Sequence, residues 1–254
     1  ILPFQSHKCE LIEDMQPRQE LQKPAQNILK RLQELCPMRY QNYSVTDRKY
    51  TIWTACDIDP LLNSLIDKDP AHPDVEDERM PYWAELWPSS ILMAETIIHR
   101  QSDLPEGKWL ELGCGPAFPG VVAGSLGLEG TCTDYMQEAL WLARLNLYEN
   151  NCKALVKVEN LDWRKPSGTQ KYAWIFAGDV TYEKRNFAPL LSTFEHYLEE
   201  NGEIWIGEPG RGVARSFFQM MGQAGWFSEL IHRKNEISIH RFIRSGCRDP
   251  SAEL

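Results

Sequence analysis

Two glycines, Gly113 and Gly115, follow the apolar run Trp109-Leu110-Glu111-Leu112, with Cys114 between them and Pro116 to Gly120 behind. A strand running into glycines lets the main chain turn sharply and approach a ligand where any Cβ would collide. A nucleotide-like cofactor is the natural occupant. A dinucleotide site would want a third glycine, so that the following helix packs closely and faces a pyrophosphate; Phe118 holds that position. Glu111, just before the glycines, would repel phosphate and suits a cation or an amino group. These two residues favour S-adenosylmethionine, which carries a sulfonium and an α-amino group and no phosphate. Asp134 ends the next apolar stretch, about 20 residues on, where an α/β fold offers a carboxylate to ribose hydroxyls. It would serve NAD equally well, so the discrimination rests on Glu111 and Phe118. Cys114 sits in the loop and could be reactive, but a small residue tolerated beside a cofactor is the plainer reading.

Other chemistries find little support. The six histidines are scattered, with no His-x-x-x-His pair, and no Cys-x-x-Cys occurs, so no metal site is expected. Ser90 and Ser125 lack a nucleophile-elbow context. The 27 Lys and Arg against 36 Asp and Glu give a net charge of −9, and no basic run is present to track a phosphate backbone. Nucleic acid is therefore not the expected partner; the acidity fits a basic or lysine-bearing substrate, or it merely solubilises the surface. Seven cysteines, an odd number without framework spacing, speak for a reducing compartment. No stretch approaches a membrane span or a signal-peptide core. A cytoplasmic, membrane-free protein is the expectation. The chain opens on Ile1, which reads as a trimmed or processed start from which a targeting segment could have been lost.

These residues need a frame. From Trp109 onward strands and helices alternate, which predicts a parallel sheet with helices on both faces. Strands are expected at Lys108–Leu112, Gly130–Thr133, Val156–Asn160, Tyr172–Ala177, Glu203–Gly207, Phe227–His232 and Ile237–Ile243, with helices between the first five, notably Gln137–Asn150 and Phe187–Glu200, and another at Val213–Ala224. The four residues between the last two strands cannot make a crossover, so these strands form an antiparallel hairpin. The fold class is α/β: a Rossmann-like open sheet, mostly parallel, closed by that C-terminal hairpin. Residues 1–79 read as an accessory α+β appendage, with an amphipathic helix over Lys23–Cys36, a hairpin of Gln41–Val45 and Tyr50–Trp53 around Thr46–Lys49, a short helix from Asp57, and an acidic, proline-broken loop over Asp67–Arg79. Elements this short need the main domain, residues 80–254, to bury their apolar faces. The acidic loop could receive a basic surface, or it is a solvated linker.

With these pieces in order, the chain resembles the class I, seven-stranded S-adenosylmethionine-dependent methyltransferases, and more narrowly the protein lysine methyltransferases of methyltransferase family 16. The resemblance runs from Met80 through Pro81 to Pro88, Leu110 to Gly115, Asp134, Asn146 to Asn151, Leu161-Asp162-Trp163 and Gly178 to Tyr182. Gly207 to Arg211, with Pro81 to Pro88, is most similar to the branch containing the lysine methyltransferase of the electron-transfer flavoprotein β subunit. The resemblance implies that Trp87 packs by the cofactor, that Trp163 flanks the adenine as a flat apolar wall, and that Gly178 lies against the cofactor. Trp87 and Trp163 would otherwise be large core residues, the reading kept for Trp83. The resemblance also makes Asp179 and Tyr182 an Asp-x-x-Tyr motif whose carboxylate and phenol hydrogen-bond the incoming amine. Asp179 could alternatively cap a helix. Glu183 after the motif, and Gly178 where many relatives have alanine, depart from the family pattern.

The implied reaction is attack of a neutral amine on the sulfonium methyl, releasing S-adenosylhomocysteine. Two rivals stand beside a protein lysine acceptor: a small amine or another protein side chain, and a catalytically silent interaction protein with the same fold.

Overall fold

The computed structural model describes residues 21–244 and 246; residues 1–20, where the expected N-terminal appendage begins, lie outside them. The elements are α1 (Lys23–Gln33), β1 (Met38–Val45), β2 (Arg48–Ala55), α2 (Asp59–Ile66), α3 (Pro73–Glu76), α4 (Pro88–His99), β3 (Trp109–Leu112), α5 (Phe118–Ser125), β4 (Gly130–Asp134), α6 (Gln137–Glu149), β5 (Val156–Asn160), β6 (Tyr172–Gly178), α7 (Phe187–Tyr197), β7 (Leu198–Glu208), α8 (Ala214–Gln223), β8 (Trp226–Lys234) and β9 (Ile237–Arg244). A seven-stranded sheet has the order β5-β4-β3-β6-β7-β9-β8. β5 through β7 run parallel, and β9 joins β7 antiparallel and pairs β8 as a hairpin. The strand order reverses at β3, which puts a topological switch point at its C-terminal end, where open α/β sheets bind ligands.

Strand side chains alternate between faces, and both faces are covered. Trp109, Trp174, Phe176 and Trp205 point to the side packed by α4, α5 and α6. Leu110, Leu112, Ile175, Ala177, Ile204 and Ile206 point to the side packed by α7 and α8. Four expectations need correction. Pro88–His99, assigned no element in the sequence, is a helix, its inner side made of Leu92, Met93 and Ile97. Residues 161–171 between β5 and β6 contain no helix. The helix expected to reach Glu200 ends at Tyr197, because Leu198 turns extended (ψ 141°) and pairs with Tyr172. The hairpin turn is only Thr46-Asp47, with Thr46 at φ 54° and Val45 opposite Arg48.

The N-terminal elements are built into the core. Val45, Tyr50 and Ile52 share a cluster with α5 and the sheet. The rings of Tyr43 and Tyr50 meet that of Phe118 at centroid distances of 5.1 and 5.7 Å. The residue that replaces the third glycine is thus the hairpin's docking post. α6 is apolar on two sides: Ala143 and Leu147 face the sheet, while Ala139, Leu142 and Leu145 face Trp53, Ala55, Trp83 and α1. Among the described residues no helix is long and apolar enough to cross a membrane.

Candidate active site

The loop leaving β3 is held in a shape that side chains resist. Gly113 and Gly115 both have left-handed φ, 64° and 48°, and a Cβ on Gly113 would lie 3.2 Å from the Trp163 indole. Cys114 N–H donates to the Thr133 carbonyl (2.9 Å), and Asn146 donates to the Pro116 carbonyl (2.8 Å). Asp134, at the end of β4, accepts from Gly115 N–H (3.2 Å) through one oxygen and from Met136 N–H (3.0 Å) through the other. Burial pushes its carboxyl up to about 6, against those backbone donors. Trp163 lies over Gly113 as a flat apolar wall. Gly113, Cys114, Gly115, Asp134 and Trp163 are therefore gathered at one sheet edge. The Cys114 thiol is buried, which raises its pKa to about 11 and leaves it inert at neutral pH.

Glu111 points elsewhere. Strand alternation puts it on the α5 side, 3% exposed, where Oε2 accepts from Gly120 N–H at the start of α5 (3.2 Å) and from Cys132 Sγ (3.2 Å). Burial lifts its carboxyl to about 8, so the acid is largely neutral at pH 7. In place of the cation or amino group expected of it, Glu111 engages a helix end.

A second cluster lies at the ends of β6 and β7. Asp179 sits at φ 59° with 8% exposure. Ser89 Oγ donates to its Oδ2, and the Arg211 guanidinium pairs with Oδ1 at 2.8 Å. Burial raises its pKa, with Ser89 and Arg211 opposing. Asp179 is not a helix cap: α7 follows only after a short turn at Lys184–Asn186. Each carboxylate oxygen has one partner within the chain, Ser89 on Oδ2 and Arg211 on Oδ1. Gly178 faces α4, where an added Cβ would stand 2.9 Å from Ser90 Oγ. Tyr182 packs edge to face on Tyr82 (5.8 Å), and Tyr82 on Trp87 (5.7 Å), whose Nε1 donates to the Tyr82 carbonyl (2.9 Å). Burial raises the Tyr182 phenol, which stays protonated at neutral pH. Trp87 thus belongs to this aromatic rim, with the Arg211 guanidinium 5.9 Å from its ring centre.

The acidic stretch 67–79 forms a strap across the same edge. Asp74 pairs with Lys68 (2.5 Å) and Arg79 (2.9 Å), and Arg164 bridges Asp77 and Asp162. Arg79 and Arg164 both approach the Tyr135 ring, at 5.6 and 5.5 Å. Asp74 and Asp77 are therefore neutralised within the chain, while Asp67, Asp69 and Glu76 stay exposed. The reading of the sequence missed Ser89, Arg211, Tyr82 and Tyr135. Arg211 lay within a quoted motif, but its partner is 32 positions away in the chain, and only the fold joins them.

The fold has solved counterparts. The glycopeptide N-methyltransferase MtfA complexed with sinefungin matches with a TM-score of 0.53 at 9% identity, over 60% of this chain and 93% of that one. The T. thermophilus 16S rRNA N2 G1207 methyltransferase RsmC, in complex with AdoMet and guanosine, matches with a TM-score of 0.56 at 12% identity, over 82% and 51%. The fold is that of the Rossmann-like methyltransferases. Within it, the chain belongs to the lysine methyltransferase family, whose model matches residues 75–224. Similar curated proteins include a histidine protein methyltransferase 1 homolog of Dictyostelium discoideum (27% identity, 64% of this chain, 53% of the relative). Others are the protein N-lysine methyltransferase METTL21A of Xenopus tropicalis (27%, 63% and 75%) and the electron transfer flavoprotein beta subunit lysine methyltransferase of Xenopus laevis (28%, 52% and 53%). The chain spans about half the length of the first curated relatives it matches.

Proposed function

We propose that this chain transfers a methyl group from S-adenosylmethionine to an amine of a protein, a lysine side chain first among them. The observation that carries the reading is that a left-handed glycine loop, closed by a buried carboxylate at the end of β4, shares one sheet edge with Tyr182 and its aromatic neighbours. The donor fits these residues: Gly113 leaves room beside a flat indole, and Asp134 keeps carboxylate lone pairs beyond its two backbone partners for ribose hydroxyls. When bound, the donor supplies an electrophilic methyl on a cationic sulphur. Cys114 and Trp87 line the approaches. Glu111 acts one layer back, fixing α5 against β3 and β4 so that the loop between them keeps its shape.

The chain's work is alignment and exclusion of water. Free lysine has a pKa near 10.4, so the acceptor must arrive deprotonated. The protonated Tyr182 hydroxyl can accept an N–H of that amine and aim its lone pair, and the rings of Tyr82 and Trp87 wall the approach. Good alignment alone is worth orders of magnitude in rate. In this reading residues 80–254 carry the transfer and residues 1–79 the choice of acceptor. The free thiols of Cys36, Cys114, Cys132 and Cys152 suit a reducing compartment such as the cytoplasm.

The test uses labelled donor, cell extract and mass spectrometry of any labelled protein. Label on a lysine supports the reading; label on histidine, arginine or only on small molecules replaces the acceptor. S-adenosylhomocysteine binding without any transfer leaves a silent interaction protein. Asp134→Asn is expected to weaken S-adenosylhomocysteine binding by about 1–3 kcal/mol in calorimetry, through loss of a charge-assisted acceptor. Unchanged affinity would remove Asp134 from the donor site.

A further inference from the structure

The buried Ser89, Asp179, Thr181 and Glu208 and the partly exposed Arg211 form one polar chain joining α4, the end of β6 and the end of β7. Thr181 Oγ1 donates to Glu208 Oε2 (2.6 Å), and Glu208 Oε1 accepts the Arg211 N–H (2.5 Å). That bond fixes the Arg211 backbone and leaves its guanidinium on Asp179 (2.8 Å), beside the Trp87 ring. A carboxylate beside an aromatic face is what an ammonium would seek. Here the chain has filled that place with its own cation.

The consequence follows from what a methyl acceptor needs. An ammonium has no lone pair with which to attack, and an unpaired carboxylate within about 4–6 Å would raise the acceptor's pKa by roughly 1–3 units. Asp179 is nearly dry, so an uncompensated charge there would act through a low dielectric. Arginine stays charged throughout the range in which lysine titrates. We propose that Arg211 is a positioning residue of the acceptor site: held between Asp179 and Trp87, it cancels the carboxylate's charge so that the acceptor amine arrives uncharged.

The surrounding groups leave this pair in control. α4 contributes the Ser89 hydroxyl and the Ser89 backbone N–H at Asp179, neither carrying a formal charge. Before α4, Tyr82 and Trp87 bring rings, not charges. From the end of β4, Asp134 and Tyr135 bear on Tyr182, while the groups that bear on Asp179 are Ser89 and Arg211. Glu183, beside Tyr182, is paired with Arg185 at 2.6 Å. Glu208 faces the pair from β7, is raised by burial, and has Thr181 and the Arg211 N–H as partners.

The inference rests on the amine-acceptor reading above, and the experiment keeps the two apart. Initial rates of label transfer from S-adenosylmethionine to the protein of a cell extract are measured from about pH 6 to 10 for wild type, Arg211→Met, Arg211→Lys, Asp179→Asn and the Asp179→Asn/Arg211→Met double variant. S-adenosylhomocysteine affinity and thermal melts are recorded for each. Arg211→Met is expected to move the half-maximal pH up by about one unit, and Asp179→Asn to move it down. The double variant returns near wild type, because the charges leave together, and Arg211→Lys stays near it. Donor affinity holds throughout. If Arg211→Met does not fold, the step from Asp179→Asn to the double variant must show the same upward move. A half-maximal pH that stays put in folded single variants, or a shift the double variant does not reverse, overturns the inference. Absence of transfer by wild type with intact donor binding overturns the amine-acceptor reading itself.

Discussion

Glu111 illustrates how far a residue's type can mislead about its task. An acid before a glycine turn reads as a ligand for a cation, yet strand periodicity was already in the sequence. Trp109 and Glu111 share a face, and Leu110 and Leu112 share the other. The places of Asp134 at a strand end and of the two glycines in the turn were legible, because strand ends and turns are marked by local sequence. The Asp179 pair was not, since nothing local marks Arg211 as its partner. The Glu111 environment makes a prediction with a definite sign. Its folded pKa, about 8, lies above the usual value near 4.3, so its contribution to stability is full below pH 4 and lost as pH rises through 8. Between those values the loss is about 1.4 kcal/mol per pH unit. Wild type should therefore melt progressively lower from pH 6 to 8, and Glu111→Gln, which keeps an acceptor for Gly120, should flatten that slope. Parallel slopes for the two proteins would show that Glu111 is ionised in the native state.

At the scale of elements, the parallel sheet was readable from its apolar runs and the C-terminal hairpin from its four-residue link. α4 was not readable as a helix, because its apolar residues crowd both sides and blur the 3.6-residue period. The missing helix between β5 and β6 was equally hidden: alternation sets an expectation that one irregular connection can break. Asn146 on α6 does more for the site than its type announces. It bonds both Trp53 main-chain groups, at 2.7 and 3.1 Å, and the Pro116 carbonyl at 2.8 Å. Asn146→Ala leaves three buried main-chain groups without that partner, at about 1–3 kcal/mol each. Urea unfolding should show a loss of at least about 2 kcal/mol, and calorimetry a weaker S-adenosylhomocysteine affinity, because the loop after β3 loses its anchor. Lost stability with unchanged affinity would separate the hairpin from the donor loop.

For the whole molecule, the matched family segment and the folding unit are different things. The family model begins at residue 75, but Ile52 and Trp53 are buried against helices of the main domain. Removing residues 1–66 should expose the outer side of α6 and the Phe118 ring. The truncated chain is expected to lose its cooperative melt and bind a hydrophobic dye; a sharp melt near wild type would make the N-terminal region a true appendage.

The hairpin also has a position in time. Its strands pair with each other over a two-residue turn, but Trp53 finds Asn146 93 residues later and Thr51 finds Asn150 99 residues later. At synthesis rates of about 5–20 residues per second, the hairpin's apolar side waits roughly 5–20 s for the surface that will cover it. Non-local pairing of this kind slows folding and prolongs exposure to other chains. The hairpin is thus made well before the surface that settles it, and newly made chains are most open to aggregation or chaperone capture before α6 emerges.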